Sequence, residues 1–376
     1  MTSIFEVPER IVAGWGAISR LGEEVKSVGK NLLLVCSARV SDSEWIRGIV
    51  GQMESQRISV FIEPGDTGEP TVDAVEHLLQ RAESLEVDAV IGIGGGSVLD
   101  TAKVVAGLKF PGRRPVKDYF YGQPIKQRGV PWIAVPTTSG TGSEATPNSV
   151  LSDGDNLKQS IRGDRSWLAK LVILDPELTV SCSTKVTAWS GLDALTQAIE
   201  SYTSAGANVF TEPYSLKAAS LIAGSLETAC GDPGHRKART DMAYGSHLAG
   251  IALANARLGI VHGVAHSIGL HYRVPHGLVC GTLLPWAIEF NQDVVGDKYA
   301  RIAREMGAGS HAGDLIHWIR GINEKLNIPS SIKAFGVRKE DLPRIVEESM
   351  PSGSLKANPK PVSKEELARF LENQLL

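Results

Sequence analysis

The spacing of apolar residues changes near Ser183, and this change constrains the fold more than any other feature of the chain. Before that point, short apolar or β-branched runs alternate with stretches of helical spacing, a pattern typical of βαβ units with a mainly parallel sheet. A crossover helix is predicted over 71–85, between the second and third runs. The runs that we interpret as strands are 31–36, 58–62, 88–93, 131–135 and 171–174.

Beyond residue 183 the strand pattern disappears, and apolar residues recur every three or four positions, as they do in amphipathic helices. The helices predicted in this half cover 188–202, 214–230, 242–256, 315–326 and 365–376. We therefore predict an α/β domain over 1–183 and an all-α domain over 184–376. Because the boundary is a change of period and not a flexible linker, we expect the two domains to share a cleft.

The balance of charge excludes one class of partner. The 376 residues include 39 Lys and Arg against 42 Asp and Glu, a net charge of -3, and no segment concentrates basic residues. A nucleic-acid-binding surface needs such a concentration, so no nucleic-acid partner is expected. No uncharged apolar run approaches the ~20 residues of a membrane span, and the first ten residues lack the apolar core of a secretory signal. We expect a cytoplasmic protein without a membrane partner.

The four cysteines are Cys36, Cys182, Cys230 and Cys280. They are far apart and form no CxxC pair, which excludes a cysteine zinc knuckle, and four are too few for a disulfide scaffold. We interpret them as buried free thiols.

Two glycine-rich or hydroxyl-rich segments follow predicted strands. In the first, 92–97, glycines precede a predicted helix, so backbone N–H groups and the helix N-terminus can approach a phosphate. The spacing differs from GxGxxG and from the Walker pattern, so a tight turn remains an alternative to a phosphate site. The second, 136–144, brings five hydroxyls and two glycines to what should be the same edge of the sheet, where ligands of open α/β sheets bind.

Four of the nine histidines, His262, His266, His271 and His276, lie within fifteen residues. His262 and His266 share one helix face, whereas His271 lies about 180° around the helix and is better interpreted as a packing or surface residue. Pro275 ends the helix, which lets His276 fold back toward His262 from a loop. The cluster favours metal binding or proton transfer.

The predicted helix 191–201 supplies a carboxylate for such a cluster. Asp193 and Gln197 lie four residues apart on one face, and apolar residues flank Asp193. A charged side chain on an apolar face needs a partner, because an isolated buried charge is costly. Asp193 could instead cap the helix, and the pattern alone leaves both interpretations open.

Four segments, 94–103, 136–144, 191–200 and 255–277, resemble the iron-containing (group III) alcohol dehydrogenases, in the same order and at similar separations. The region from 323–329 to 358–361 is also similar to the C-terminal part of that family. The likeness covers nearly the whole chain.

The resemblance implies a dehydroquinate synthase-like architecture, with an NAD(P)-binding α/β domain, a helical domain that holds one divalent metal, Fe²⁺ or Zn²⁺, and catalysis in the cleft. The family binds its metal through an Asp and three His. Asp193, His262 and His276 match that set, and His266 matches a non-ligand histidine near the nicotinamide. Gln197 stands where the remaining histidine is usual, and we retain it as a candidate ligand although an amide oxygen is a weaker donor than imidazole.

The cofactor-binding candidates lie mainly at predicted strand ends. They are Ser37, Arg39, Gly94, Gly95, Gly96, Ser97, Asp100, Thr137, Thr138, Thr141, Lys158 and Leu178. An acidic residue after the strand that ends near residue 37 would repel a 2′-phosphate, but the chain has Ser37 and Arg39 there. NADP(H) is therefore favoured over NAD(H), unless Arg39 is a solvated surface charge.

The predicted function is hydride transfer between NAD(P) and a small alcohol or aldehyde, with His266 relaying a proton and Asp193 holding the metal. Asn148, Arg257 and His271 are substrate candidates and suggest a polar or anionic substrate. In the alternative, Lys158 contacts the cofactor and Arg257 pairs with Glu200, which leaves an apolar pocket. The sequence allows a homodimer.

Two other functions stay open. A sugar-phosphate lyase of the dehydroquinate synthase type needs a dense cationic pocket, and the segment 255–277 offers only Arg257 and Arg273. A non-catalytic metal or nucleotide sensor would explain Gln197.

Overall fold

The computed structural model describes residues 4–65, 70–154 and 157–375. The chain forms two compact units. One comprises Glu6–Thr138 and Ser143–Val180, and the other comprises Ser181–Leu376 together with Ser139–Gly142 and the described part of Met1–Phe5. The short segment Ser139–Gly142 therefore belongs to the second unit, although the residues on both sides of it belong to the first.

The described residues of the first unit contain a six-stranded parallel sheet, a separate hairpin and several helices. The strands are β1 (Ile11–Ala13), β2 (Asn31–Ser37), β3 (Ser59–Gly65), β4 (Ala89–Gly94), β5 (Trp132–Pro136), β6 (Asn148–Ser152), β7 (Lys158–Arg162) and β8 (Leu171–Leu174). The α-helices are α1 (Leu21–Glu24), α2 (Ala38–Ser41), α3 (Glu44–Ser55), α4 (Val72–Ser84), α5 (Gly96–Leu108) and α6 (Val116–Phe120). Single 3-10 turns lie at Ala17–Arg20, Val25–Ser27, Ser143–Ala145, Arg165–Trp167 and Pro176–Thr179.

The predicted strands and the crossover helix are confirmed. Each of the five predicted runs forms a strand of the sheet, whose order is β1-β8-β5-β4-β2-β3. Strand β4 is buried over its whole length, because its apolar residues are contiguous and both faces of a parallel sheet are covered. The predicted helix over 71–85 is α4, which begins after the N-cap Thr71.

The order of the strands reverses between β2 and β4. From β2 the chain first adds β3 on one side and then returns to add β4, β5 and β8 on the other. In open α/β sheets, ligands bind outside the carboxyl ends of the strands at such a switch point. Ser37 ends β2 and Gly94 ends β4, so the glycine-rich segment lies at this position.

Two features of this unit were not predicted. Strand β1 has three residues and pairs only with β8 at the edge of the sheet, so it gives no periodic pattern. Strands β6 and β7 form an antiparallel hairpin whose sequence is largely polar. Their stability depends on contacts with α5, described below, that no local pattern reveals.

The described residues of the second unit that have regular structure are helical. The α-helices are α7 (Thr184–Thr203), α8 (Glu212–Ala223), α9 (Leu226–Gly231), α10 (Arg236–Ala256), α11 (Ile260–Tyr272), α12 (His276–Glu305), α13 (Ala312–Lys325), α14 (Leu342–Ser349), α15 (Gly353–Lys356) and α16 (Lys364–Glu372). Two 3-10 turns lie at Ile332–Phe335 and Lys339–Asp341.

The predicted change to an all-α architecture is confirmed. The helix predicted over 214–230 is interrupted, because α8 ends at Ala223 and α9 begins at Leu226 after Gly224 and Ser225. One apolar core joins α7, α8, α10 and α13, and another joins α11, α12, α14 and α16. Residues 193, 262 and 276 lie on helices that contribute to these cores.

Among the described residues, no single helix is both long and apolar enough to cross a membrane. Helices α10 and α11 pass a test of length and composition only as a pair, and they are bent by 106° relative to each other. Both helices place side chains in the cores of the helical unit.

Candidate active site

Four side chains in the helical unit bring metal-ligating atoms together. Asp193 comes from α7, His262 from α11, and His276 and Cys280 from α12. One ligand atom from each residue lies within 4.8 Å of those from the other three. We call these four residues the donor cluster. Three of them were predicted as metal ligands and the fourth was not.

Asp193 lies in the middle of α7, and its carboxylate is buried within the unit. The helix begins at Thr184, and its N-cap is Ser183, whose side chain accepts a hydrogen bond from the backbone N–H of Val186. The alternative that Asp193 caps the helix is therefore wrong. Its oxygen Oδ1 lies 3.2 Å from His262 Nε2 and 3.7 Å from His276 Nε2.

The start of α12 packs directly on α7. A Cβ atom at Gly277 would overlap the carbonyl oxygen of Trp189 and would lie 3.2 Å from Cβ of Asp193. Glycine is needed there because no larger residue permits this approach of the two backbones. His276 is the first residue of α12, with Pro275 as its N-cap, so the expectation that it comes from a loop is wrong. The helix start fixes His276 more firmly than a loop would.

Glu200 orients His262. Nδ1 of His262 donates to Glu200 Oε2 over 2.7 Å, and the backbone N–H of Val261 donates to Glu200 Oε1 over 2.7 Å. A ligating histidine typically makes such a hydrogen bond with its second nitrogen, which leaves the first free to bind a metal. Glu200 was missed as a site residue, although it follows Asp193 by seven residues on the same helix face. Because Glu200 binds His262, the alternative pairing of Arg257 with Glu200 is wrong.

Cys280 is the member of the donor cluster that sequence reasoning missed. Its Sγ lies 3.6 Å from His276 Nε2 and 3.9 Å from His262 Nε2, and the side chain is fully buried. It stands one helical turn after His276, the same spacing that separates Gln197 from Asp193. This spacing is the sequence signal that points to Cys280.

The charges of the cluster favour a cation. Burial raises the pKa of the Cys280 thiol to about 12. Burial by itself lowers the pKa of His262, but Cys280, Asp193 and Glu200 together outweigh burial and hold that pKa well above its usual value. The surroundings of His262 thus favour a positive charge where this residue faces Asp193. Imidazole, carboxylate and sulfur are also ligands that divalent transition metals bind. The residues present fit a divalent metal.

Gln197 is buried on α7. Its Nε2 donates to the backbone oxygen of Thr141 over 3.3 Å, and no described residue forms a hydrogen bond with its Oε1. Thr141, a cofactor-binding candidate, thus contacts α7 through its carbonyl group. A buried amide oxygen without a partner is available to a ligand.

The other predicted residues of this unit lie outside the donor cluster. The ring of His266 stacks on that of His276, with centroids 4.9 Å apart and planes 17° from parallel. His271 Nε2 lies 2.8 Å from both carboxylate oxygens of Glu348, as expected for the packing interpretation. Arg257 is exposed at the end of α10, with a left-handed φ of 65°.

The glycine-rich segment of the first unit joins β4 to α5. Gly94 ends β4 and its carbonyl oxygen accepts the backbone N–H of Thr137 over 2.9 Å. Gly95 is the N-cap of α5, no side chain caps this helix, and Gly96 and Ser97 form its first turn. These first N–H groups are free to bind an anion. The side chain of Thr138 lies close to Gly95 at the same edge of the sheet.

A buried hydrogen-bond network next to this segment includes Asp100, a cofactor-binding candidate, and the backbone oxygen of Asn148, a substrate candidate. Lys103 is fully buried, and its Nζ donates to Ser143 Oγ over 2.9 Å, to Thr146 Oγ1 over 3.1 Å and to the backbone oxygen of Asn148. Asp100 accepts from Ser143 and from the backbone N–H of Val150 and lies 3.5 Å from Lys103 Nζ. Burial lowers the pKa of Lys103, and Asp100 opposes this shift. Asp100 therefore holds α5 to β6.

The remaining cofactor-binding candidates are spread over four elements of the first unit. Ser37 ends β2, Arg39 is exposed on α2, Lys158 begins β7, and Leu178 packs against the core of the sheet.

The structural role of Lys103 was not predicted, because a lysine on a helix is usually exposed to solvent.

Comparison with known proteins covers both units. Residues 8–176 match the family model described as iron-containing alcohol dehydrogenase. Residues 187–375 match the model described as the C-terminal part of the Fe-containing alcohol dehydrogenase family.

Individual relatives agree with the family models. The chain is 31% identical over 366 residues to lactaldehyde reductase of Escherichia coli (strain K12), with 95% of each chain covered. It is 30% identical over 383 residues to sulfoacetaldehyde reductase of Bilophila wadsworthia (strain 3_1_6), with 99% of each covered. A crystal structure of a 1,3-propanediol oxidoreductase superposes with a TM-score of 0.93 at 30% identity, over 100% of both chains. The chain therefore belongs to the iron-containing alcohol dehydrogenase family and is an oxidoreductase that acts on CH–OH groups with NAD or NADP.

Proposed function

We propose that the donor cluster is the catalytic metal centre of an NAD(P)-linked alcohol dehydrogenase or aldehyde reductase. The observation that carries this proposal is the convergence of Asp193, His262 and His276 within a unit that matches the family. When bound there, a divalent metal polarises the substrate oxygen, and NAD(P)(H) accepts or supplies the hydride. Asp193, His262 and His276 hold the metal, and Glu200 fixes the orientation of His262.

His266 is proposed to move the proton. It lies against His276 and is half-buried, so it contacts the centre without belonging to the donor cluster. An imidazole titrates near neutral pH and can both give and take a proton there. Replacing His266 with Ala should lower kcat by about 10²-fold and leave the metal content unchanged. A loss of metal in this variant would instead identify His266 as a ligand.

The nucleotide is proposed to bind at the carboxyl ends of β2 and β4. The uncapped start of α5 supports this assignment, because its N–H groups and helix dipole favour a diphosphate. Gly94–Ser97, Thr137 and Thr138, which belong to the same unit, are proposed to provide the surrounding backbone and hydroxyl groups. Exposed Arg39 follows β2 and supports a preference for NADP(H).

The substrate is proposed to be a small alcohol or aldehyde with a further polar group. The names of two relatives support this, because lactaldehyde and sulfoacetaldehyde carry a hydroxyl and a sulfonate. The side chains of His271 and Asn148 contribute less support. Glu348 binds His271, and the described contacts of Asn148 use its backbone oxygen. Arg257 remains a candidate for binding an anionic group.

The test is a spectrophotometric assay of NADH and NADPH oxidation with lactaldehyde, sulfoacetaldehyde and butanal. We expect turnover that falls at least about 100-fold in the His276→Ala variant, since the polarising metal is lost. His317→Ala changes an exposed histidine on α13 and serves as the control. The absence of turnover with every aldehyde, in a chain that retains metal, would favour a lyase or sensor. A tenfold preference for butanal would overturn the polar-substrate proposal.

Location and assembly stay predictions. The expectation of a cytoplasmic protein is tested by cell fractionation, and the expectation of a homodimer by sedimentation of the purified chain.

A further inference from the structure

We infer that Cys280 is the fourth protein ligand of the metal centre, and that the resulting Asp, His, His, Cys donor set prefers Zn²⁺ to Fe²⁺. The inference rests on the proposed function and specifies its metal site. Asp193, His262 and His276 provide three ligands, and Gln197 replaces the histidine expected as the fourth. The geometry assigns the fourth ligand position to Cys280, which lies on α12, whereas Gln197 lies on α7.

Four of the six distances between ligand atoms of the donor cluster are close to those of a tetrahedral centre that includes sulfur, and the other two are within 4.8 Å. With metal–nitrogen and metal–oxygen bonds of about 2.0–2.1 Å and a zinc–sulfur bond of about 2.3 Å, tetrahedral neighbours lie about 3.3 Å apart, or about 3.5 Å where one is sulfur. The observed distances from Asp193 Oδ1 to His262 Nε2 and His276 Nε2 are 3.2 and 3.7 Å. Those from Cys280 Sγ to the same nitrogens are 3.9 and 3.6 Å. All four lie within about 0.4 Å of the tetrahedral values.

The environment of Cys280 differs from that of the other cysteines. Cys36 lies in the core of the sheet, and Cys230 Sγ lies 4.0 Å from the backbone oxygen of Thr184. Cys182 is only partly buried. Among the described residues, Cys280 is the cysteine that joins a group of metal-ligating atoms. Burial without such neighbours is the usual state of a free thiol, so the position of Cys280 needs a different explanation.

Helix packing holds Cys280 in place. Cys280 follows His276 by one turn of α12, so both side chains point to the same side. The close approach at Gly277 sets this side of α12 against Asp193 on α7. The sulfur therefore reaches the centre from a rigid element. Gln197 is less suited to replace the missing histidine, because the atom it has available is an amide oxygen, which is a weak donor for a soft metal.

A sulfur ligand changes the choice of metal. Thiolate is a soft donor that selects Zn²⁺ over Fe²⁺, whereas carboxylate and imidazole discriminate less. Metal binding would release the thiol proton of Cys280 to solvent. Two anionic ligands, Asp193 and Cys280, would then neutralise a divalent ion, which lowers the cost of burying the charge. Zinc sites expand to five-coordinate, so a fourth protein ligand still admits a substrate oxygen.

Cobalt substitution tests the inference directly. The full chain is stripped of metal with a chelator and reloaded with Co²⁺, whose bond to a thiolate gives a sulfur-to-cobalt charge-transfer band in the near ultraviolet. We expect one cobalt per chain and this band in the unmodified protein, in Gln197→Ala and in the control Cys230→Ser. The Cys280→Ser variant should lose the band and bind cobalt at least about tenfold more weakly.

A second variant separates loss of a ligand from loss of folding. Gln197→His combined with Cys280→Ser restores an Asp and three His, so it should regain affinity without regaining the band. Competition between Zn²⁺ and Fe²⁺ should favour zinc by at least about tenfold more in the unmodified protein than in this variant.

Two outcomes would overturn the inference. Stoichiometric cobalt without the charge-transfer band in the unmodified protein shows that sulfur is not a ligand, and persistence of the band in Cys280→Ser shows that another cysteine is. If the protein still reduces aldehydes in either case, the proposed function stands and only the assignment of Cys280 falls. Failure of the unmodified protein to bind cobalt at all overturns both the metal centre and this inference.

Discussion

His262 Nδ1 donates a 2.7 Å hydrogen bond to Glu200 Oε2, and this bond determines which imidazole nitrogen faces Asp193. Both partners are buried, and the same carboxylate also accepts the backbone N–H of Val261. One side chain therefore holds the ring and the start of α11 together. In the proposed metal centre, a residue outside the donor cluster would therefore set the orientation of one ligand.

Replacing Glu200 with Gln should weaken metal binding about 10- to 100-fold. The carboxylate of Glu200 accepts hydrogen bonds at both oxygens, from His262 Nδ1 and from the backbone N–H of Val261. The amide of Gln has one oxygen to accept with, and its NH₂ group would face the other donor. Affinity is measured by competition with a chromogenic chelator. Glu289→Gln, which changes a half-buried partner of Arg320 on α12, should leave affinity unchanged. Equal affinities in the two variants would show that Glu200 does not support the centre.

Replacing Lys103 with Met should destabilise the first unit by about 3–5 kcal/mol, because the change leaves Asp100, Ser143 and Thr146 without their buried partner. Urea denaturation measures this change in the free energy of unfolding. Lys117→Met is the matched control, since Lys117 is exposed and pairs with Asp153 at the surface. A variant as stable as the wild type would show that the network contributes no net stability.

Replacing Glu76 with Gln should lower stability at pH 7 by about 1 kcal/mol, a value that allows for screening by solvent. Burial raises the pKa of Glu76, but Arg113 and the backbone N–H of Val116 outweigh burial and hold it below its usual 4.5. A lowered pKa in the folded state stabilises the protein above pH 4.5, and this contribution is lost as the pH falls through the folded value.

The difference between wild type and Glu76→Gln should therefore shrink as urea unfolding is repeated at lower pH. Glu54→Gln, at an exposed position of α3, provides the baseline. A difference that stays constant from pH 7 down to about pH 3 would contradict the linkage.

Replacing Gly277 with Ala should reduce metal affinity and lower stability by about 1–3 kcal/mol. The added methyl group would overlap the carbonyl oxygen of Trp189 and push the start of α12 away from α7. Metal content and thermal unfolding are measured together. Gly321→Ala in α13 meets nothing within 4 Å and should stabilise the helix slightly. Retention of full metal affinity in Gly277→Ala would mean that the close approach is unnecessary.

Replacing Arg39 with Gln should lower the preference for NADPH over NADH about tenfold, because a guanidinium near the ribose attracts a 2′-phosphate. Ratios of kcat/KM with the two cofactors measure this preference. Arg47→Gln, on the neighbouring α3, tests whether any nearby positive charge has the same effect. A wild-type protein that prefers NADH would refute the role of Arg39.

Sequence reasoning identifies elements and candidate residues that stand out from their neighbours along the chain. The five predicted strands are contiguous apolar runs, and Asp193, His262 and His276 stand out as polar residues on apolar helices or beside a proline. Strand β1 and the hairpin β6–β7 lack such patterns. Their stability comes from β8 and from the Lys103 network, which involve residues far apart in the sequence.

Cys280 and Glu200 were not predicted for the same reason, because their roles depend on contacts between residues far apart in the sequence. Cys280 and Glu200 repeat helical spacings from His276 and Asp193, but spacing alone does not show that α12 lies against α7 or that His262 faces Glu200. Those contacts, between His276 and Asp193 and between His262 and Glu200, join residues more than 60 positions apart. Cys280 was also interpreted through CxxC spacing, which detects only cysteines that bind a metal in pairs.

The segment Ser139–Gly142 has a consequence for how the protein folds. Thr141 accepts a hydrogen bond from Gln197, and Gly142, at a φ of 61°, leaves no room for a Cβ beside Gly250. A fragment that begins at Ser181 would lack these four residues and would expose the surfaces of α7 and α10 that they cover. Separating the chain at its apparent domain boundary therefore yields an incomplete helical unit, and cooperative folding of this unit requires a piece of chain that is synthesised with the sheet.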